Sequence, residues 1–390
     1  AYVLRAAFER FGLTAEVLDE PDQETLDLGK KFTSGKECFP CILTTGDIMA
    51  KIKSADFDRD HSAFFMPSAS GPCRFGQYNR YQRMVLDKNG YENVPIYSPD
   101  SKTAYAEFEF TGNAGQFRRL GWQGLVATDV LYRLRCRVKP YEISAGATEK
   151  AYQQSLAILC DGLEHKEDIR AVIGVCADLF AAVEADFTTP KPVIGVVGEI
   201  YLRQNRYANN NLVVLLEKLG AEVTLAPMTE WVFYTNYTYK RKLLADRKFI
   251  DLGKAILTDM IQRRVELQCL KEVGKKIPLE HELPMEKLLE LAYPYIHISI
   301  SGEAILTIGK AIEYYQRGAS GIVNAMPFAC MPGTIVSAIS KKVRSDFDNL
   351  PWLNISYEGL EGANEYTRLE AFVYQVEKFH DGKVPALAGC

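Results

Sequence analysis

Two thiols three residues apart stand in Lys36-Glu37-Cys38-Phe39-Pro40-Cys41-Ile42-Leu43, with a proline between them and Gly35 just before. Such a turn can aim both sulfurs at one point. A lone C-x-x-C fits a redox disulfide, zinc, an iron–sulfur cluster or a pair of ordinary thiols. The thiols that can join it decide among these. Cys73, in Ser70-Gly71-Pro72-Cys73-Arg74, and Cys330, in Pro327-Phe328-Ala329-Cys330-Met331-Pro332-Gly333, are the two candidates. An isolated free cysteine is ordinarily a small buried hydrophobe, but a loop cysteine beside Gly and Pro is a poor core filler. Thiolates select zinc or iron–sulfur. A compact zinc site usually draws its ligands from two close pairs. One pair and two distant singles favour a cluster and leave zinc open.

Other residues carry weaker signals. Arg74 directly follows a candidate ligand. A guanidinium beside an anionic cluster would favour electron uptake; the plain alternative is a surface arginine. Glu37 precedes Cys38 and could act on a bound substrate, although a solvated carboxylate is the simpler reading. Gly195-Val196-Val197-Gly198 lacks the third glycine and the following acidic residue of a dinucleotide fingerprint. It reads as a tight strand-to-loop turn that would bring Glu199, Tyr201 and Arg203 toward a cleft. Cys136, Cys160, Cys176 and Cys269 fall in helical patterns among apolar residues and read as core. Cys390 is terminal and is assigned no role. His61, His165, His281 and His380 lie in polar contexts, and His297 near a possible strand end. No Ser-His-Asp order, Walker loop or His-Glu-x-x-His is present.

The elements that must position these residues follow from periodicity and punctuation. A helix is predicted over 2–11, stopped by Gly12, then a strand over 15–18, together the second half of a βαβ unit. Next come a helix over 44–53, a strand over 63–67, a helix over 77–89 and a strand over 94–98. Residues 122–187 are helical, with breaks near 139–141 and 144–146. The Pro-rich stretch 188–192 is a linker. Beyond it the pattern predicts strands over 193–198, 223–227, 321–327 and 352–357, and a strand or extended loop over 296–299. Helices are predicted over 210–219, most of 230–275, 305–317, 332–346 and 365–379. Alternating strands and helices argue for an α/β fold with parallel sheets in two domains, 1–187 and 193–390. Ligands of open α/β sheets gather outside the carboxyl ends of the strands. Cysteines from two such domains would meet in the interdomain cleft.

The chain has 390 residues, 47% of them hydrophobic, enough for two or more domains with full cores. The formal net charge is −4 and no Lys/Arg block occurs, so no nucleic-acid partner is expected. No apolar run approaches the roughly 18 residues that span a bilayer, and no signal peptide opens the chain. The expectation is a cytoplasmic protein without a membrane partner. Nine cysteines are too sparse for a disulfide scaffold, and an odd number cannot all pair internally. The first residue is not methionine and the helical pattern starts at once, as in a fragment of a longer chain.

The sequence from Gly35 to Asp47, Gly71-Pro72-Cys73-Arg74-Phe75-Gly76-Gln77-Tyr78 and the sequence from Asn324 to Thr334 together carry a resemblance. So do Ser301-Gly302-Glu303-Ala304-Ile305-Leu306 and Thr367-Arg368-Leu369-Glu370-Ala371-Phe372. Over nearly its whole length the chain resembles the C-terminal part of large acyl-CoA dehydratase activase-related proteins. Those proteins combine ATPase activase modules with modules similar to 2-hydroxyacyl-CoA dehydratase subunits. The resemblance implies two Rossmann-like domains holding a 4Fe–4S cluster between them. Its three-cysteine ligand positions fall on Cys38, Cys73 and Cys330, which leaves one iron open to a substrate oxygen. Cys41 is an addition to that pattern. As a fourth ligand it would close the site and suit electron transfer. A related branch carries an 8Fe–9S double-cubane cluster and reduces small molecules; it would need Cys41 and a helical cysteine as well. The family chemistry is dehydration through a ketyl radical, started by one low-potential electron from an ATP-hydrolysing activase. The expectation is therefore an iron–sulfur redox module with an activase domain or subunit as partner, in a reductase or dehydratase system. Acyl-CoA or another small molecule is the implied substrate, and a homodimer a possible assembly. The alternatives are a double-cubane reductase and a non-enzymatic, metal-stabilised domain that docks the activase.

Overall fold

The computed structural model describes residues 1–69, 71–100, 108, 111–359 and 364–387. Ser70 and Cys390 lie outside them. The protein is mixed α/β and 60% helical, with parallel sheets. In chain order the first elements are α1 (Tyr2–Arg10), α2 (Gln23–Phe32), α3 (Phe39–Lys53), β1 (Phe64–Phe65), α4 (Tyr78–Lys88) and β2 (Ile96–Tyr97). Then come α5 (Ala114–Val138), α6 (Ala147–Glu164), α7 (Ile169–Ala181), β3 (Val193–Gly198), α8 (Ile200–Gln204), α9 (Leu212–Lys218) and β4 (Glu222–Leu225). The last are α10 (Met228–Ala245), α11 (Phe249–Gly274), α12 (Met285–Ala292), α13 (Glu303–Gln316), β5 (Gly321–Pro327), α14 (Met331–Asp346), β6 (Trp352–Tyr357) and α15 (Glu365–Leu387).

The chain forms two compact units, each assembled from separated stretches. The first holds Ala1–Val17, Lys102–Lys191 and Ala226–Met285. It is helical: α1, α5, α6, α7, α10 and α11 pack on one another. Asn113 caps α5 by accepting from the Gln116 N–H at 3.1 Å. Apolar residues at helical spacing, Phe117, Leu120, Val130, Leu131 and Leu134, then face its core. A 3-10 turn, Lys139–Tyr141, containing Pro140, follows α5 directly, and Gly146 at φ 88° opens α6. Cys136, Cys160, Cys176 and Cys269 are buried in this unit, where the helical spacing puts them.

Two predicted elements are corrected here. No strand forms over 15–18. The helix before it buries Val3, Ala6 and Ala7 and packs on α5 and α6, so no sheet neighbour is offered to that stretch. The long helix over 230–275 is two helices, broken where Arg247 turns left-handed at φ 55°.

The second unit holds Leu18–Ser101, Pro192–Leu225 and Glu286–Cys390. It contains both sheets. β1 and β2 pair in parallel, Phe64 with Ile96 and Phe65 with Tyr97. The larger sheet is parallel throughout, in the order β4-β3-β5-β6. β3 and β5 run as nearly continuous buried apolar residues, as a strand covered on both faces must. Tyr314 of α13 lies over Gly195 so closely that a Cβ there would come within 2.4 Å of its ring.

Helices α2 and α12 were not predicted. α2 carries Gly29 in its interior, which lowers its helical signal. That glycine serves packing: its Cβ would lie 2.2 Å from the Ile42 carbonyl oxygen, and one on Gly46 2.1 Å from that of Thr25. The two glycines let α2 and α3 pack backbone against backbone. Residues 296–299 form turns rather than a strand, with the Ile300 N–H bonded to the His297 carbonyl at 2.9 Å.

Candidate functional site

Cys38, Cys41, Cys73 and Cys330 all belong to the second unit. Three of them occupy the same local position. Cys38 is the N-cap of α3, Cys73 of the 3-10 turn Arg74–Gln77, and Cys330 of α14. Each has extended backbone. Ser, Thr, Asp or Asn normally fills this position and accepts from the first turn. A thiol there instead faces first-turn N–H groups that pull it down against burial, that of Cys41 for Cys38, of Phe75 for Cys73 and of Gly333 for Cys330. Two of the caps share the run Cys-x-Pro, Cys38-Phe39-Pro40 and Cys330-Met331-Pro332. Proline suits a first turn because its missing N–H would be unbonded there anyway. For this reason α3 starts at Phe39 and not at the predicted residue 44. Cys41 lies in the first turn of α3, its N–H bonded to the Cys38 carbonyl at 2.9 Å.

The sheet explains where Cys330 lies. From β3 the chain steps to β4 on one side and later crosses to β5 on the other. The carboxyl ends of β3 and β5 therefore flank a topological switch point, the usual ligand crevice of such sheets. Glu199 follows β3 at that point and Cys330 follows β5. The Glu199 N–H bonds the Ala325 carbonyl at 2.8 Å.

Several contacts hold the cysteine loops together. Arg74 donates to the Lys36 carbonyl at 2.9 Å and to the Ala329 carbonyl at 3.3 Å. It thus ties the loop before Cys38 to the loop before Cys330. A Cβ on Gly71 would lie 3.6 Å from the Ser301 hydroxyl. One on Gly359, after β6, would lie 2.7 Å from the ring of Phe39. Ala329 is held left-handed at φ 53°, a conformation that non-glycine residues rarely adopt without a reason.

Cys38 and Cys41 form a buried cluster with Tyr78, against which Met66, Phe75 and Tyr81 pack. The Tyr78 hydroxyl is in hydrogen-bond contact with the Cys38 sulfur. Burial pushes the Cys38 thiol up, and the Tyr78 contact and the Arg74 charge pull it partly back. Burial and the Cys38 charge push Cys41 up to about 12. Burial raises Cys330 to about 12 against a bond from the Gly333 N–H, with Glu303, Glu199 and Cys38 adding to it. Burial also raises Cys73, assisted by Glu303, Glu199 and Cys330. The charges couple Cys41 to Cys38, Cys38 to Cys330 and Cys330 to Cys73, so the four thiols form one electrostatic group. None is a low-pKa nucleophile of the redox-disulfide kind.

Two carboxylates flank the group. Glu199 caps α8, accepting from the Tyr201 N–H at 3.1 Å and the Leu202 N–H at 2.8 Å. Burial raises it against those bonds and the nearby Arg203. Arg203 itself donates to the Gly198 carbonyl at 3.2 Å. Glu303, at the start of α13, accepts from the Ile200 N–H at 3.1 Å. Glu37 turns back on its own loop: it accepts from the Ser34 N–H and hydroxyl, each at 2.9 Å, and from the Lys36 N–H at 3.2 Å. Burial pulls its carboxyl up, but these bonds hold it below the usual range.

Sequence reasoning missed Tyr78 and Glu303. Glu303 had a local signal, an acidic residue opening a helix after Ser301-Gly302. Tyr78 had none, since its relation to Cys38 exists only in the fold. His297 bonds the Ser299 hydroxyl at 2.8 Å, a contact within its own turn. Among the described residues no group of three or more His, Cys, Asp or Glu is gathered tightly enough to hold a metal ion, and no helix is long and apolar enough to cross a membrane. No family model matches the chain, and neither a curated protein nor a solved structure is significantly similar to it.

Proposed function

We propose that the second unit is an iron–sulfur redox module similar to 2-hydroxyacyl-CoA dehydratase subunits, accepting low-potential electrons from an ATP-dependent activase domain or subunit. The observation that carries this reading is the common placement of the thiols. Cys38, Cys73 and Cys330 come from three distant stretches, and each caps a helical turn with its sulfur toward a first-turn N–H. Cys41 stands one turn after Cys38. The donor set is all sulfur, which suits iron–sulfur chemistry or zinc. A single tetrahedral zinc would need its sulfurs about 2.3 Å from one point. A cluster would bind each sulfur to a different iron and so accepts a wider spread than one zinc ion does.

In this reading Cys38, Cys41, Cys73 and Cys330 hold the cluster, which supplies one-electron transfer at low potential. The N–H groups of the capped turns face the sulfurs. Arg74 fixes two of the ligand loops and sets a positive charge beside Cys38. Met66 and Phe75 pack over the Cys38–Cys41 side. Cys41 as a fourth ligand makes the role electron transfer; with Cys41 free, one iron is open to an acyl-CoA or other small substrate, with Glu199 beside it. We read the β1–β2 layer and the four-stranded sheet as the two Rossmann-like parts that the cysteines join. Every other described cysteine belongs to the first unit, so a double cubane would have to draw thiols from outside the second.

The test is ligand replacement. Protein purified anaerobically as Cys330→Ser is expected to lose most of its iron and acid-labile sulfide, whereas Cys136→Ser, which alters a packed helical thiol, keeps both. Full cluster content in Cys330→Ser sinks the ligand assignment.

A further inference from the structure

We propose that Tyr78 donates a hydrogen bond to the Cys38 sulfur when Cys38 is a cluster ligand, and that this bond raises the reduction potential of the cluster. The inference rests on the iron–sulfur reading above. Tyr78 is 6% exposed, and its hydroxyl touches the Cys38 sulfur. Between a thiol and a phenol either atom can be the donor. A metal-bound thiolate has no proton, so there only the phenol can donate. Hydrogen bonds to cluster sulfurs stabilise the more negative, reduced state, which moves the potential upward.

The local fold makes the bond specific. Cys73 caps the 3-10 turn Arg74–Gln77, and that turn runs directly into α4 at Tyr78. One loop thus carries a ligand of its own and the donor to the ligand on another loop. Phe75 meets the Tyr78 ring edge-on, with centroids 5.4 Å apart, and holds the phenol in place. Tyr81, one turn later, packs against the same cluster. Its hydroxyl donates to the Phe32 carbonyl at 3.1 Å and not to a sulfur. Tyr78 is therefore a positioning residue, acting through Cys38, and Tyr81 is its natural control.

The experiment is an anaerobic redox titration of the full chain, followed by electron paramagnetic resonance, for wild type, Tyr78→Phe and Tyr81→Phe. Iron and sulfide are counted in each. The expected result is a more negative midpoint in Tyr78→Phe at unchanged cluster content, with Tyr81→Phe at the wild-type value. No shift, a positive shift, or an equal shift in both variants overturns the proposal and leaves the cluster reading intact. A wild type without a cluster overturns both. Should Tyr78→Phe fail to hold the cluster, the chain carrying 3-fluorotyrosine in place of Tyr78 decides. A more acidic phenol donates more strongly, so a more positive midpoint supports the bond; an unchanged or more negative midpoint overturns it.

Discussion

Asp47 shows how a single side chain in α3 ties the second unit to pH. Burial, with Asp22 nearby, lifts its carboxyl from the ordinary 3.8 to about 7. Between about pH 4 and 7 the folded chain keeps a proton that the unfolded chain has lost. Stability from this group is therefore greatest at low pH, falls as pH rises toward 7, and levels off above. Glu266 in the first unit, also raised to about 7 by burial, acts in the same direction. The thermal midpoint of Asp47→Asn is expected to fall less than that of wild type between pH 5 and 8, with the variant the more stable at pH 8. Parallel curves for the two proteins would refute the assignment. At this scale the sequence was partly legible. The cysteines announced themselves by neighbouring Gly and Pro, and Gly198 by its place at the end of an apolar run. Glu37 reads in the sequence as either a substrate contact or a solvated carboxylate, and in the fold it accepts from Ser34 and Lys36 of its own loop. The raised carboxyl of Asp47 left no trace in the sequence, because burial is a property of packing.

At the scale of elements, the junction of β3 and β5 does most to place the site. Gly198 ends β3 at φ 111°, and a Cβ there would lie 2.1 Å from the Ala325 carbonyl oxygen. Both the backbone angle and the close approach exclude any other residue. Gly198→Ala is expected to cost about 2 kcal/mol or more in chemical denaturation. Gly253 in α11 has nothing within 4 Å of its would-be Cβ; Gly253→Ala should instead stabilise by up to about 1 kcal/mol, the helix-propensity difference. Equal effects of the two substitutions would contradict this account. The strands of the large sheet were legible because Pro and Gly bound them and because β3 and β5 are buried on both faces. The sequence pattern starts α3 late because Pro40 looks like a turn former, whereas in a first turn it starts the helix. α2 escaped notice because Gly29 interrupts its pattern for the sake of contact with α3.

Across the whole chain, mixed α/β architecture with parallel sheets followed from alternation of short strands and helices. The composition of each unit did not, because both units are built from stretches far apart in sequence, and only tertiary contact sorts them. One boundary, Lys191 to Pro192, falls in the predicted Pro-rich linker; the others leave no compositional mark. The grouping matters for function, since it puts Cys38, Cys41, Cys73 and Cys330 in one unit and the four helical cysteines in the other. The most direct test of the account is the metal and sulfide content of the anaerobically purified chain. The account predicts about four irons and about four acid-labile sulfides per chain. Zinc without sulfide, or no bound metal after reconstitution with iron and sulfide, would contradict it.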